Sequence, residues 1–375
     1  MRIMYWSQLY APYIGGVEVT AAKLLTGLRA RGHEPLVVTS HGHLDLPDVG
    51  VQDGVPVHRF FFASALANRD LEQIVRERRR LAALKREFRP HLIHVNISDP
   101  SFVFHYQTAD AWPAPFLVTL PVFMPEGGGA DSLMGRALRE AAWVTAPSQA
   151  VLDDARRIVP EIISHSSVLH YGLDMPDLQP SPLPFDAPRI LAIGRLVPEK
   201  GFDLAIGAFA RVLRQVPAAR LIIAGDGVER PALVRQASEL GVAGAVDFLG
   251  WVDPAEVPRV INTCTMVLQP SRWQEAFGLV ALQGSQMARP VIAARVGGVG
   301  EVVVEGETGL LVDKDDTAGL ADAILALLAN PEQAAAMGAA GRSRAAEEFP
   351  IERHVSQFDS LYRRLAEENA HAGTA

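Results

Sequence analysis

A single cysteine, Cys264, among 375 residues has no partner for an internal disulfide and no companions for a thiolate metal site. That excludes a disulfide scaffold and leaves a small core residue of a chain expected in a reducing compartment. Long apolar runs are also missing: none approaches the roughly 18 residues of a membrane span. The opening Arg2-Ile3-Met4-Tyr5-Trp6 meets polar Ser7-Gln8 at once, far short of a signal-peptide apolar region, so a cytoplasmic location is expected. Positive charge is in deficit, with 35 Lys and Arg against 43 Asp and Glu for a net −8. No overall field gathers nucleic acid, and no basic patch with interleaved aromatics offers a local one.

What is present suits a globular enzyme. Hydrophobic residues make up 49% and charged residues 21%, enough apolar surface for a core and too little charge for a disordered chain. At this length one core normally stops growing, so two domains are expected. Short apolar runs alternate with amphipathic helical stretches in both halves, the pattern of doubly wound parallel α/β layers. Strands are expected at 2–7, 34–39, 91–96 and 115–120, with a helix at 18–31 closed by Gly32. The proline-rich stretch from Met175 to Pro184 can sustain neither helix nor central strand and marks a linker. Strands resume at 189–193, 220–224, 246–250, 265–269 and 291–294, with a helix at 202–216 and a last one at 351–368 before a frayed tail. The boundaries are therefore 1–174, a linker at 175–188, 189–350, and a crossover helix and tail at 351–375.

In open parallel sheets ligands bind beyond the carboxyl ends of strands, which singles out three loops. Gly15-Gly16-Val17-Glu18 enters a helix and lets a ligand approach backbone amides, although a Gly-Gly pair alone is ordinary turn chemistry. Gly194-Arg195-Leu196-Val197-Pro198-Glu199-Lys200-Gly201 sets two cations before a helix, where they could clamp a diphosphate; its bland reading is a solvated loop with a Glu199–Lys200 pair. Pro270 to Gln283 runs into a helix whose first amides lie near Phe277, Gly278, Leu279 and Val280. There Glu275 could accept from sugar hydroxyls or simply favour the helix N-terminus, and Gln283 could reach a ribose.

These segments, in this order and across almost the whole chain, resemble the retaining glycosyltransferase family 4. Gly15-Gly16-Val17-Glu18 is similar to its N-terminal glycine loop, Ser148-Gln149 to its "S-(E/Q)" helix start, and His170-Tyr171-Gly172-Leu173-Asp174 to its "P-N-G-(V/I)-D" signature. Gly194-Arg195-Leu196 with Lys200-Gly201 resembles "G-R-L…K-G", Ala224-Gly225-Asp226-Gly227 and Phe248-Leu249-Gly250 resemble the next two signatures, and Glu275 opens a Glu-x7-Glu-like motif. Gly297-Gly298 to Glu301 and Gly306 to Val312 complete the series.

The resemblance implies two facing Rossmann-like domains of GT-B type with an interdomain cleft, the acceptor on the N-terminal side and the donor on the C-terminal side. It implies transfer of a hexosyl group, with retention, from a UDP- or GDP-sugar to a hydroxyl-bearing saccharide, lipid-linked glycan or small molecule. Arg195, Lys200 and Glu275 are the implied catalytic residues, and Gly15, Gly16, Gly194, Phe277, Gly278, Leu279 and Gln283 the donor-binding ones. No cofactor besides the donor is expected, and no metal, because no Asp-x-Asp cluster stands in a suitable loop.

Two positions depart from the family. Gln283 replaces the second glutamate, so a ribose would be held by an amide with less charge assistance. Thr119-Leu120-Pro121 lacks the usual histidine, leaving His94, Asn96 or His105 as candidates to serve the sugar. Together the departures keep open a nucleotide-sugar-binding protein with little transfer activity; a sugar-nucleotide epimerase or phosphorylase on the same fold is the other alternative. The basic helix from Arg69 to Arg89 could rest on the inner face of a membrane, but Asp70, Glu72, Glu77 and Glu87 dilute its charge and favour packing on the N-terminal sheet. Met124 to Ala130 reads as a glycine-rich mobile loop near the acceptor side.

Overall fold

A computed structural model describes residues 1–97, 99–125 and 129–372; Gly127 and Gly128 of the glycine-rich loop and the last three residues of the tail lie outside the described residues. The chain divides into two compact units, Met1–Leu173 with Ile351–Ala375, and Asp174–Pro350.

In the first unit eight strands form one sheet: β1 (Arg2–Ser7), β2 (Glu34–Ser40), β3 (Val49–Gln52), β4 (Val55–Phe60), β5 (Leu92–Asn96), β6 (Phe116–Thr119), β7 (Trp143–Ala146) and β8 (Ser166–Val168). Their order is β3-β4-β2-β1-β5-β6-β7-β8, parallel except for the β3–β4 pair. The interior strands are apolar on both faces because helices cover both, and Ile3, Met4, Val37 and Val38 are fully buried. The closing helix, Ile351–Ala372, belongs to this unit. It carries Val355, Phe358, Leu361, Tyr362 and Leu365 along one stripe into a core with Leu24, Leu25 and Leu28 of the helix Gly16–Ala30. Each such buried side chain contributes roughly 1.5–3 kcal/mol relative to exposure.

The second unit holds β9 (Arg189–Ile193), β10 (Arg220–Ala224), β11 (Val246–Gly250), β12 (Met266–Gln269), β13 (Val291–Ala294) and β14 (Gly309–Val312), all parallel in the order β11-β10-β9-β12-β13-β14. Ile190, Leu221, Ile223, Met266 and Leu268 meet Phe202, Ile206 and Phe209 of the helix Phe202–Gln215 in its core. The proline-rich segment forms neither helix nor strand and is tethered within this unit. Asn262 Oδ1 accepts from the Ser181 amide at 2.8 Å, and Arg289 Nη1 donates to the Ser181 carbonyl at 2.9 Å.

The basic helix, Leu71–Phe88, packs differently from its apolar pattern. Leu71 is exposed, whereas Glu77 and Lys85 are buried beside Leu81 and Leu84. Lys85 Nζ lies 3.3 Å from the carbonyls of His105 and Thr108, and burial pulls its pKa down to about 7. Among the described residues no helix is long and apolar enough to cross a membrane.

Candidate functional site

The chain leaves β9 toward β10 on one side of the second unit's sheet and reaches β13 from β12 on the other, so the carboxyl ends of neighbouring β9 and β12 flank a topological switch point. In a doubly wound sheet this is where the connecting loops part and open a crevice. The loop 194–201 follows β9 and the loop 270–278 follows β12. Gly201 lets them meet: its φ is +68°, and a Cβ there would stand 2.0 Å from the Pro270 carbonyl oxygen. The loop after β13 closes on the same place, the Gly298 amide donating to the Glu275 carbonyl at 2.8 Å, and a Cβ on Gly297 would lie 2.1 Å from that oxygen.

Two of the predicted residues are thereby joined across 75 positions of sequence. Lys200 Nζ donates to Glu275 Oε1 at 2.6 Å, and Ser271 Oγ donates to the same oxygen at 2.5 Å. Glu275 Oε2 has no hydrogen bond among the described residues, and Lys200 uses one of its three donors in this pair. Both side chains are partly open to solvent, at 33% for Lys200 and 16% for Glu275, so they can meet a ligand without unfolding anything. Arg195 is exposed and makes no ion pair or side-chain hydrogen bond among the described residues.

Gly278, φ +106°, is the N-cap of the helix Leu279–Gln286. Gln269, at the end of β12, accepts from the Ala281 amide at 3.0 Å, while the amides of Gly278, Leu279 and Val280 have no intramolecular acceptor among the described residues. Free amides at a helix N-terminus bind anions. The Phe277 side chain is buried against Phe349, ring centroids 5.4 Å apart. Gln283 is half-buried two turns beyond Glu275, its side-chain amide without a partner among the described residues.

The first unit has its own switch point, between β1 and β5, and there the expectations need correction. His94 is buried with both ring nitrogens committed: Nδ1 to the Tyr362 hydroxyl at 2.5 Å and Nε2 to Thr119 Oγ1 at 2.7 Å, which in turn meets Thr145 Oγ1 at 2.6 Å. Burial lowers its pKa to about 3, so it is neutral and has no nitrogen left for a sugar. Asn96 donates to the Tyr5 hydroxyl at 3.0 Å and is likewise buried. The space among Tyr5, His94, Asn96, Thr119 and His354 is a cavity of about 10 Å³, too small for a sugar ring. His105 is stacked on Phe102 and buried beside Lys85, and Pro121 is buried too. None of these four positions offers an open polar group. Gly15 caps the helix Gly16–Ala30 in extended conformation, and the Glu18 carboxylate folds back to 2.2 Å from where a Gly15 Cβ would lie, placing negative charge at that helix end.

Sequence reasoning passed over Arg272 and Ser271. Arg272 forks onto both Asp203 oxygens, its Nη2 2.6 Å from Oδ2, while its Nε lies 2.7 Å from Asp315 Oδ1. A guanidinium between two acidic residues, one in the first turn of a helix and one in a loop, is a recognisable pattern only once the fold brings positions 203, 272 and 315 together. Among the described residues no group of three His, Cys, Asp or Glu side chains is arranged to hold a metal ion.

Two family models match in tandem: a glycosyl transferase 4-like domain over residues 15–163 and glycosyl transferases group 1 over residues 177–344. The chain is a glycosyltransferase of the family 4 type. Its relatives include a glycogen synthase of Mycobacterium tuberculosis, 28% identical with 93% of this chain and 91% of the relative covered. A GDP-mannose-dependent alpha-(1-6)-phosphatidylinositol monomannoside mannosyltransferase of Mycolicibacterium smegmatis is 39% identical over a shorter span, 42% of this chain and 43% of its own. Among solved structures, this glycosyltransferase resembles the sucrose-phosphate synthase of Thermosynechococcus elongatus with a TM-score of 0.84 at 25% identity, over 97% and 98% of the two chains. The Anabaena protein HepE, solved with UDP and glucose, shares the GT-B fold at a TM-score of 0.77 and 22% identity, over 96% and 98%.

Proposed function

We propose that this glycosyltransferase moves a hexosyl group from a UDP- or GDP-linked sugar to a hydroxyl acceptor with retention at the anomeric carbon, and that the switch point of the second unit is the donor site. The observation that carries the reading is the Lys200–Glu275 pair at 2.6 Å, which joins the loop after β9 to the loop that leads into the free amides of Gly278 to Val280. A diphosphate needs cations and amides, and a sugar needs acceptors; the site offers both within one crevice. Relatives named for UDP-bound and GDP-mannose-dependent proteins support the donor class.

In the mechanism, Arg195, Lys200 and the helix amides hold the diphosphate where its negative charge grows as the anomeric C–O bond breaks. The acceptor oxygen bonds to the anomeric carbon on the face the diphosphate leaves, and its proton passes to the departing phosphate oxygen. Glu275 Oε2 accepts from a donor-sugar hydroxyl and orients the ring; it is not a covalent nucleophile, and no paired carboxylate of the glycosidase kind is needed. Gln283 takes the ribose through its amide. The acceptor is a saccharide, a lipid-linked glycan or a small molecule in a cytoplasmic setting, and no cofactor beyond the donor enters the scheme.

Incubation with a panel of nucleotide sugars, following free UDP or GDP with and without a broad acceptor set, tests the proposal. Acceptor-dependent nucleotide release with an α-linked product from an α-linked donor is expected. Tight nucleotide binding without release would instead favour a binding protein, the reading that Pro121 and Gln283 together motivate.

A further inference from the structure

The catalytic pair of the proposed donor site sits on two loops that no secondary structure joins. Lys200 closes a single 3₁₀ turn, Pro198–Lys200, and Glu275 lies in an irregular stretch between β12 and the helix Leu279–Gln286. Arg272 links the two. Its backbone amide donates to the Glu199 carbonyl at 2.8 Å, its Nη1 reaches toward the Pro198 carbonyl at 3.5 Å, and its fork grips Asp203 in the first turn of the helix Phe202–Gln215. These partners stand on both sides of Lys200 in sequence, and Glu275 follows Arg272 by three residues. Asp315, on the loop after β14, fixes the guanidinium from a third direction through Nε at 2.7 Å.

We infer that Arg272 is a positioning residue: its fork on Asp203 and Asp315 sets the spacing between the Lys200 turn and the Glu275 loop, and so the geometry in which a nucleotide-diphosphate sugar is met. The inference rests on the donor site proposed above. Three features separate this role from binding and from mere stability. The guanidinium is occupied by carboxylates, unlike exposed Arg195. The side chains are 31%, 40% and 50% exposed for Arg272, Asp203 and Asp315, a range in which ion pairs add little to folding. The planar fork holds two oxygens at once, a restraint that an ammonium on a flexible stem cannot reproduce. Because misplacement of a catalytic group by about 1 Å can lower rates roughly 10²-fold, a restraint of this kind is felt in turnover before it is felt in melting.

The test uses the full chain and the variants Arg272→Lys, Asp315→Asn, Lys200→Ala and the Lys200→Ala/Arg272→Lys double. UDP and GDP affinity is measured by calorimetry, nucleotide release from UDP-glucose and GDP-mannose by steady-state kinetics, and Tm by scanning calorimetry. Arg272→Lys is expected to lower kcat by roughly 10- to 10²-fold with Tm nearly unchanged, Asp315→Asn to lower it less, and the double variant to match Lys200→Ala within about twofold, because Arg272 acts through Lys200. Wild-type turnover in Arg272→Lys, a fall in activity that follows a fall in Tm, or independent effects that multiply in the double variant would each overturn the role. If Lys200→Ala itself binds nucleotide and turns over as wild type does, the donor site is wrong and the role of Arg272 falls with it. If Lys200→Ala is impaired and Arg272→Lys is not, the donor site stands and only the positioning role is lost.

Discussion

The two units of this glycosyltransferase are built on the same plan and treat their polar residues in opposite ways. Each is a doubly wound sheet with a switch point beside its first strand, β1 next to β5 in one and β9 next to β12 in the other. In the first, the polar groups at the strand ends are buried and turned on one another, His94 bonding Thr119 and Tyr362 and the Asn96 amide nitrogen bonding Tyr5, with Asn96 Oδ1 buried and without a partner among the described residues. In the second they remain open, with Arg195 exposed, Glu275 Oε2 unbonded and helix amides without acceptors among the described residues. All eleven histidines lie in the first unit and none between residues 174 and 350. Topology therefore nominates two crevices, and only the state of the polar groups tells which one is ready for an anion.

The contrast is broken most sharply by removing charge from the open crevice. Lys200→Ala deletes the cation proposed to face developing phosphate charge, and it leaves Glu275 with Ser271 as its hydrogen-bonding partner. Turnover is expected to fall by roughly 10²–10³-fold, more than nucleotide affinity, because the interaction strengthens in the transition state. Steady-state kinetics beside calorimetry with UDP and GDP checks this, and equal losses in both quantities would show uniform binding instead.

Acid should find the other unit. His94 and His354 are buried, and burial depresses their pKa values from about 6.5 to about 3 and about 4. Between pH 6.5 and about 4 the unfolded state binds two protons that the folded state refuses. Stability contributed by these neutral rings is present above pH 6.5 and is lost as pH falls, by up to about 2.7 kcal/mol per pH unit for the pair. Segment-resolved hydrogen exchange at pH 7, 5.5 and 4.5, corrected for intrinsic rates, should show strands β1, β5 and β6 losing protection before β9 and β12. Simultaneous loss in both units would place the acid-sensitive groups elsewhere.

A finer adjustment lies at Gln283. A carboxylate accepts two ribose hydroxyls with charge assistance where the amide offers one acceptor, and Gln283 is half-buried without a competing partner among the described residues. Gln283→Glu is expected to tighten UDP or GDP binding by about threefold to tenfold with kcat little changed, a gain of roughly 1 kcal/mol on the scale of charge-assisted bonds. Weaker binding of both nucleotides would remove Gln283 from the ribose.

How far sequence carried the fold follows from what each signal depends on. Strands such as 2–7, 189–193 and 220–224 were legible because a continuous apolar run bounded by polar or glycine residues is a local property. The β3–β4 hairpin has a local signal as well, Asp53-Gly54 with φ of +49° and +76°, flanked by alternating Val49, Val51, Val55 and Val57. Periodicity tuned to parallel strands passes over it. Lys200 and Glu275 were legible as members of motifs, whereas the clamp of Arg272 on Asp203 and Asp315 spans 69 and 43 positions and has no local signature. The role of His94 was not legible, because a histidine on a strand looks alike whether its nitrogens face a ligand or, as here, Thr119 and Tyr362.

The smallest effect is expected where sequence and family differ most, at Pro121. The residue is buried directly after Leu120, which is 1% exposed and whose amide donates to the Thr145 carbonyl at 2.9 Å, so the chain here is held against the neighbouring strand β7. An imidazole in that place would need either to displace packed neighbours or to bury a nitrogen without a partner, and His94, Thr119 and Thr145 are already satisfied among themselves. Pro121→His is accordingly expected to leave donor consumption within about twofold of wild type, or to lower it by loosening the loop, well short of the roughly 10²-fold gain that a well-placed acid–base group supplies. Donor consumption by wild type and variant with the same acceptor panel is the measurement. A large gain over a wild type inactive with every acceptor would mean that the closed crevice of the first unit is one histidine away from serving the sugar, and that the open crevice of the second binds donors without completing the transfer.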